Sequence, residues 1–497
     1  MDRKFFIAGV ITAILYLAMA VTCARTFMPW CDEAWFSGPA LSLVTQGHMG
    51  TPVLDSTAVW NSRDLTQINR YTYWIMPLYS FSQSFWLRIF DFSLLTVRAY
   101  SVMWGLAALA GWWLVMRTLS ANANIAFLTT ALVALDFTFL AAASAGRMDM
   151  MCEALGIGGI AAYLCLREQH FRSAVLLSHA CVVAAGLTHP MALGAWAALV
   201  AATLFLDRSR IRLSTIALAA VPYLVGAAGW GAYIAQNPSV FWIQFRGDAT
   251  NRFISGSPLD ALWGQTVERY VYMFGLSPDT RGWSHIKIAI LAIYAAGVLG
   301  ALMSRRIRAN RNYRALFLMW FVSMIVMSLA DKEIHHFYLV HFLTPVIALF
   351  AVWFHTSWTC GAVPRWVLAG ALGTLLGVQL MVTGSRIRQD PYRNAFRTTT
   401  AFLKQHTGSK DLIFGSAELG FDLGFFDGRL VDDFRLGYLT GKKATFIVLD
   451  RNRYQEWIPN LKDREPAAYR YIMDMLRRDF ELVQQNGAYT VFARKVA

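Results

Sequence analysis

Eleven apolar runs constrain this chain more than any other feature. They lie near 5–24, 96–116, 124–143, 150–166, 173–188, 190–206, 213–235, 285–303, 315–330, 338–354 and 365–384. A bilayer's hydrocarbon core is about 30 Å thick, so a helix rising ~1.5 Å per residue needs roughly 20 apolar residues to cross it. In that medium each backbone N–H and C=O must be satisfied within its own segment, which makes the runs helices. Composition agrees: 56% of the residues come from the AVILMFWYC set and only 15% are charged, against about 25% in soluble globular chains. The mean hydropathy is +0.40. A soluble enzyme, a disordered chain and a disulfide scaffold are excluded. The 497 residues suffice for a polytopic membrane body plus one small soluble domain.

The first run follows Met1-Asp2-Arg3-Lys4. It is too long for the apolar part of a secretory signal and ten more runs follow, so it reads as a signal anchor. Orientation comes from the Lys/Arg bias of short loops. With the N-terminus inside, the cytoplasmic stretches hold Arg3, Lys4, Arg167, Arg172, Arg208, Arg210, Arg212, Arg305, Arg306, Arg308, Arg311, Arg314 and Arg365. The short outer turns hold only Arg147 and Lys332. Most of the +14 net charge is therefore a topogenic signal and no nucleic-acid footprint. The expected architecture is a polytopic α-helical membrane protein of about eleven spans, N-in and C-out. Residues 1–384 form its membrane domain, with outer loops at 25–95 and 236–284. The compactness of the chain points to a bacterial inner membrane.

Residues 385–497 change character and read as a small extracytoplasmic α/β domain. A helix is expected near 394–406, strands at Asp411–Ser416 and Ala444–Asp450, and a helix near 466–478. Phe480–Gln484 and Ala488–Arg494 flank Asn486-Gly487, a two-residue hairpin signal. The tail shows no clustered acid or His motif, so no catalytic role is expected of it. The six cysteines are scattered without a CxxC pair and imply neither zinc nor a disulfide. There is no Walker loop, no GxGxxG after a strand and no haem motif.

Acids at the outer ends of spans are where chemistry is expected, because a membrane protein otherwise keeps charge out of lipid. Asp32 and Glu33 follow the first span in Pro29-Trp30-Cys31-Asp32-Glu33-Ala34-Trp35-Phe36. An amphipathic run from Ala34 to Gln46, with Gly47 behind it, reads as a helix lying in the outer interface. Asp149 follows the third span in Ala145-Gly146-Arg147-Met148-Asp149, and Glu153 shares its helix face at i+4. The topology puts all four acids at one level. The plain alternative for each is a solvated acid, or one paired with Arg147 or Arg98.

Asp331-Lys332-Glu333-Ile334-His335-His336-Phe337-Tyr338, with His341 beyond, occupies the turn between the ninth and tenth spans on the same side. On a helix Lys332 and His336, and His335 and Tyr338, would aim donors in pairs. Such donors suit a phosphate leaving group, whose charge grows as its bond breaks. A snorkelling interfacial turn with belt aromatics is the alternative. The 236–284 loop adds Arg246, Asp248, Arg252, Arg269 and Tyr270, as a lid, an acceptor ledge or simply surface.

In order along the chain these motifs resemble the GT-C membrane glycosyltransferases, in particular the protein O-mannosyltransferase and lipid A aminoarabinose transferase branch. Asp32-Glu33-Ala34-Trp35-Phe36 with Ala40-Leu41 and Gly47 is similar to that branch's first outer loop. Tyr71-Thr72-Tyr73-Trp74-Ile75-Met76-Pro77-Leu78 stands at its aromatic, Pro-rich run, and Arg98-Ala99-Tyr100-Ser101 at its Arg-x-x-Ser. Ala145-Gly146-Arg147-Met148-Asp149 resembles its second acidic motif. The resemblance implies transfer of a sugar from a polyprenyl-phosphate donor to a lipid, glycan or protein acceptor at the outer membrane surface. It implies Asp32 as general base for an inverting displacement, and Asp149, with Glu33, as orienting groups. Asp32 and Asp149 are also the pair that would hold a divalent cation in members that use one. It implies Arg147 as the ion-pair partner of Asp149, with Glu153 in support. His335, His336, Tyr338 and Lys332 would receive the lipid phosphate, helped by Arg246 or Arg252. The competing classes are a transporter or lipid flippase with an acidic ion-coupling site, and an assembly subunit that binds through its tail.

Overall fold

In the computed structural model, all residues are described except 1–2, 55–64, 253–256, 277–281, 332–335, 452 and 496–497. Within helices, the side chains of 248–252, 258, 265, 272, 282–283 and 336 also fall outside the description. Among the described residues nine helices are long and apolar enough to cross a membrane. The pair Ala123–Leu135 and Phe137–Ala143, bent by 63° at the break between them, is together long and apolar enough for one more, and Phe171–Gly186 is a shorter apolar helix. Each of the eleven runs in the sequence thus has its helix, and the chain is a multi-pass membrane protein.

Burial within the bundle is uneven, and the unevenness follows composition. The helix Leu213–Ile234 buries only 11% of its apolar window and Leu224 is 69% exposed, which suits a helix whose neighbour is lipid. Asp149–Leu166 and Phe337–Cys360 bury 72% and 78% of theirs and form the centre. Phe337–Cys360 carries apolar residues on all sides and packs from Val340 to Phe354 in one continuous core.

The bend in the third apolar run has a local cause. Asp136 interrupts the apolar run, caps the second piece through Thr138 N and Phe139 N, and also accepts from Gln379 Nε2 (2.7 Å) and Tyr294 Oη (3.2 Å). A carboxylate this deep needs such partners to be tolerated.

The helix α1 (Arg3–Thr26) is the first crossing, and α2 (Cys31–Gln46) follows within a few residues. α2 begins three residues earlier than its amphipathic pattern suggests, which puts Asp32 and Glu33 in its first turn, where negative charge meets the positive end of the helix dipole. It ends at Gly47, whose φ of +77° closes the last turn. The aromatic run then leads into Pro77–Ile89, a helix the apolar runs do not announce.

The C-terminal region carries a five-stranded mixed sheet in the order β2-β1-β3-β5-β4. β1 (Ile413–Phe414), β2 (Leu430–Val431) and β3 (Phe446–Asp450) are parallel. β4 (Phe480–Gln485) and β5 (Tyr489–Arg494) form the expected antiparallel hairpin across Asn486-Gly487. β2 and the helix Tyr454–Arg464 are additions to the pattern read from the sequence. α2 is shared: Cys31 and Ala34 pack into the same apolar cluster as Phe396, Leu419, Val448 and Tyr489.

Candidate active site

Helix geometry decides what α2 can reach. At about 100° per residue, Glu33 and Trp35 point in nearly opposite directions and Asp32 falls between them. Glu33 faces the bundle. Its Oε1 accepts from Arg98 Nε (2.8 Å) and Gly146 N (2.6 Å), and its Oε2 from Arg98 Nη2 (2.8 Å) and Trp30 N (2.9 Å). A Cβ at Gly146 would lie 2.3 Å from Val97 Cγ1, so only glycine lets this backbone close on Glu33. Arg98 itself is held by the carbonyls of Ala24, Phe27 and Met28. With both oxygens occupied, Glu33 anchors α2 to the bundle instead of meeting a substrate.

Asp32 and Asp149 come together through one guanidinium. Arg147 Nη1 pairs with Asp32 Oδ2, and Arg147 Nε donates to Asp149 Oδ2 at 2.9 Å. Arg147 lies between two rings, 5.1 Å from the Phe36 centroid and 4.6 Å from that of Phe337. One cation thus serves two carboxylates and leaves net negative charge in the cluster. Asp149 is fully buried, yet its Oδ1 has no hydrogen-bond partner among the described residues. The Asp32 side chain keeps 16% of its surface exposed. The cluster therefore has acceptor capacity to offer a ligand, and an opening to it.

Glu153 stands about 6 Å deeper than Asp149, one helical turn on, so the four acids do not share one level. Its Oε1 accepts from Trp112 Nε1 (3.0 Å) and Thr344 Oγ1 (3.2 Å), and its Oε2 meets His341 Nδ1 at 3.1 Å. These contacts tie three crossings together and support the helix that carries Asp149.

The 331–341 segment does reach the acids, through Phe337 against Arg147. Tyr338 is buried with its ring 4.9 Å from His189. Lys332 and His335 lie outside the described residues, as does the side chain of His336. Arg252 closes the helix Pro238–Arg252 with its side chain likewise undescribed, and Arg246 on the same helix is exposed. Gln244, also on that helix, ties the loop to the first outer loop by accepting from Tyr73 N (2.7 Å) and donating to the carbonyls of Thr66 and Tyr71.

Arg269 is the cation that sequence patterning did not single out from its loop. It is buried, 5.8 Å from the Tyr338 ring and 4.9 Å from that of Phe342, and burial draws its pKa down to about 10, against the pull of Tyr270 and Asp331. It stays charged at neutral pH. Its neighbour Tyr270 is buried beside it and donates its hydroxyl to the Phe342 carbonyl at 3.4 Å.

A divalent cation does not fit Asp32 and Asp149 as they stand, because Arg147 occupies the position between them. Among the described residues no group of three or more His, Cys, Asp or Glu side chains is arranged to hold a metal.

No protein-family model and no curated protein matches this chain. Solved structures do. ArnT from Cupriavidus metallidurans bound to undecaprenyl phosphate superposes with a TM-score of 0.62 at 16% identity, over 99% of this chain and 98% of that one. Its apo state gives the same TM-score over 97% of each chain. The archaeal oligosaccharyltransferase AglB from Archaeoglobus fulgidus, in complex with an inhibitory peptide and a dolichol-phosphate, gives 0.59 at 11% identity, over 99% of this chain and 74% of that one. Both are GT-C proteins, and the fold of this chain is theirs.

Proposed function

We propose that this protein transfers a sugar from a polyprenyl-phosphate carrier to a hydroxyl acceptor at the outer face of a bacterial cytoplasmic membrane. Residues 1–384 are the transferase body and 385–497 an extracytoplasmic domain. The observation that carries the reading is the pair of aspartates from two distant motifs sharing Arg147, one fully buried with a free oxygen and the other partly open. That the fold is one in which undecaprenyl phosphate has been seen bound, in ArnT, supports the donor class.

In this reading Asp32 accepts the acceptor's hydroxyl proton as its oxygen attacks the anomeric carbon. The carbon–phosphate-oxygen bond breaks on the opposite side, and its electron pair leaves with the lipid phosphate. Asp149 orients the acceptor through Oδ1, and Arg147 holds both carboxylates ionised and aligned. Arg269 beside Tyr338 neutralises the phosphate, and Lys332, His335, His336, Arg246 and Arg252 are the further donors that the sequence offers for it. A positioned base contributes about 10²–10⁴-fold, and fixed cations at a developing charge contribute without reorganisation.

The test is thermal stability of the purified protein with undecaprenyl phosphate, against the uncharged alcohol. A ligand that binds only the folded state raises stability by RT ln(1 + [L]/Kd). The expected result is a saturable shift that needs the phosphate and is lost in R269Q. An equal shift with the alcohol, or none, would overturn the donor assignment.

A further inference from the structure

Trp35, on the opposite side of α2 from Glu33, points into the C-terminal region. Its Nε1 donates to Asp432 Oδ2 at 3.1 Å, and the Arg453 guanidinium lies 4.4 Å from its ring centroid. Asp432 is fully buried and nearly every acceptor position it has is used. Arg453 Nη1 reaches Oδ1 at 2.6 Å and Oδ2 at 2.5 Å, Tyr454 Oη donates to Oδ1 at 2.9 Å, and Ala417 N donates to Oδ2 at 3.1 Å. The backbone of Asp432 also grips the first loop, since its N–H donates to Val53 O at 3.0 Å and Leu54 bridges it as a parallel strand would. One residue of the C-terminal region thus holds the first loop at both ends of α2.

We propose that Asp432 and Arg453 are positioning residues for the transfer reaction: they fix the rotation of α2 through Trp35 and so hold Asp32 against Arg147. This rests on Asp32 being the base. Glu33 clamped by Arg98 stops α2 from turning one way, and Trp35 clamped by Asp432 and Arg453 stops it turning the other. Asp32, between them, lies at the seam. The C-terminal region is then part of the catalytic apparatus although none of its side chains meets the substrate. A misplacement of the order of 1 Å at a reacting group costs about 10²-fold, so a loosened clamp is visible in kcat.

The experiment compares W35F, D432N and D32N in the full-length protein, with kcat counted per folded molecule. W35F keeps a six-membered ring beside Arg453 and removes the indole N–H donor, so it loosens the clamp with less disturbance of the buried ion pair than D432N. The expected result is a fall of about tenfold in kcat for W35F and more for D432N, with donor KM within about twofold. The acid limb of the kcat/KM profile moves to higher pH as Asp32 loses contact with Arg147. A readout independent of turnover is Cys31, next to Asp32 and buried against the C-terminal sheet. Its maleimide labelling, read by peptide mapping, is expected to speed up in both clamp variants. A merely structural clamp lowers the folded fraction and leaves kcat, the acid limb and Cys31 labelling of the folded molecules unchanged, and that result overturns the proposal. If D32N retains wild-type transfer, the base assignment fails instead. The Cys31 rates then still report whether Asp432 and Arg453 fix α2, and wild-type turnover with a released α2 overturns the catalytic role of the clamp.

Discussion

Arg147 and Arg453 are both almost fully buried against an aspartate and both lie against aromatic rings, yet the two clusters are built to opposite ends. Around Arg453 it is the carboxylate that is saturated: Asp432 accepts from an arginine, a tyrosine, a tryptophan and a backbone amide, while Arg453 Nε and Nη2 find no hydrogen-bond partner among the described residues. Around Arg147 the accounts stay open, with Asp149 Oδ1 unpartnered and Asp32 partly exposed. A buried carboxylate left short of partners is expensive unless a ligand completes it. Saturation is the mark of a group that holds; an open acceptor is the mark of a group that receives.

The two clusters are expected to differ most in activity. D32N and D149N are each expected to lower kcat/KM by about 10²–10⁴-fold, with melting temperatures close to wild type, because the amide keeps the shape and Arg147 keeps one partner. Steady-state transfer assays beside thermal melts check this. Were either variant to lose stability and keep its rate, the cluster at Arg147 would be a holding cluster like the other.

The reverse pattern is expected of R453M. It leaves Asp432 charged, buried and without its cation, which costs about 3–5 kcal/mol of stability. Chemical or thermal denaturation of the C-terminal region reads this directly. A double variant with D432N should recover part of the loss, since the uncompensated charge is then gone.

Much of this was legible in the sequence, and the part that was not has a physical reason. The eleven apolar runs, the hairpin at Asn486-Gly487 and the Asp32-Glu33 and Arg147-Met148-Asp149 motifs are local patterns; among the described residues the runs become nine helices of spanning length, one bent pair and one shorter apolar helix. The bend at Asp136 had a signal, an acid inside an apolar run, which length alone passed over. What could not be read is pairing across the chain: Glu33 with Arg98, Glu153 with His341, and Trp35 with Asp432 nearly four hundred positions away. The tail shows no clustered acid motif in sequence for the same reason. Glu418, Asp432 and Asp450 are far apart in sequence, and the sheet gathers them into one buried acid cluster around Arg453.

That cluster makes stability depend on pH. Burial, and then the charge of Asp450, push Glu418 up to about 8; burial pushes Asp450 up to about 6, against the pull of Arg453. A carboxyl whose folded pKa is raised stays protonated while its unfolded counterpart ionises. The stability this gives is complete below the unfolded value near 4.5 and is lost as pH rises through the folded value. The melting temperature is expected to fall between pH 6 and 8.5 by several degrees. E418Q, which mimics the protonated acid toward Ser416 and Tyr489, should flatten that slope. The Arg147 cluster lies outside this effect, so the slope should persist in D32N.

On the phosphate side, two cations differ in the same way. Arg246 is exposed and Arg269 is buried, though both lie in the same loop. An exposed charge acts through water and is screened, and such pairs contribute about 0–1 kcal/mol. R246Q is therefore expected to change donor KM by less than about fivefold, and that change should shrink as salt is raised. R269Q should weaken donor binding far more and with little salt dependence, because its charge acts in a dry environment. Measuring both variants at low and high salt separates the two. An R246Q effect as large and as salt-resistant as that of R269Q would mean that the loop closes over the donor and buries both cations around its phosphate.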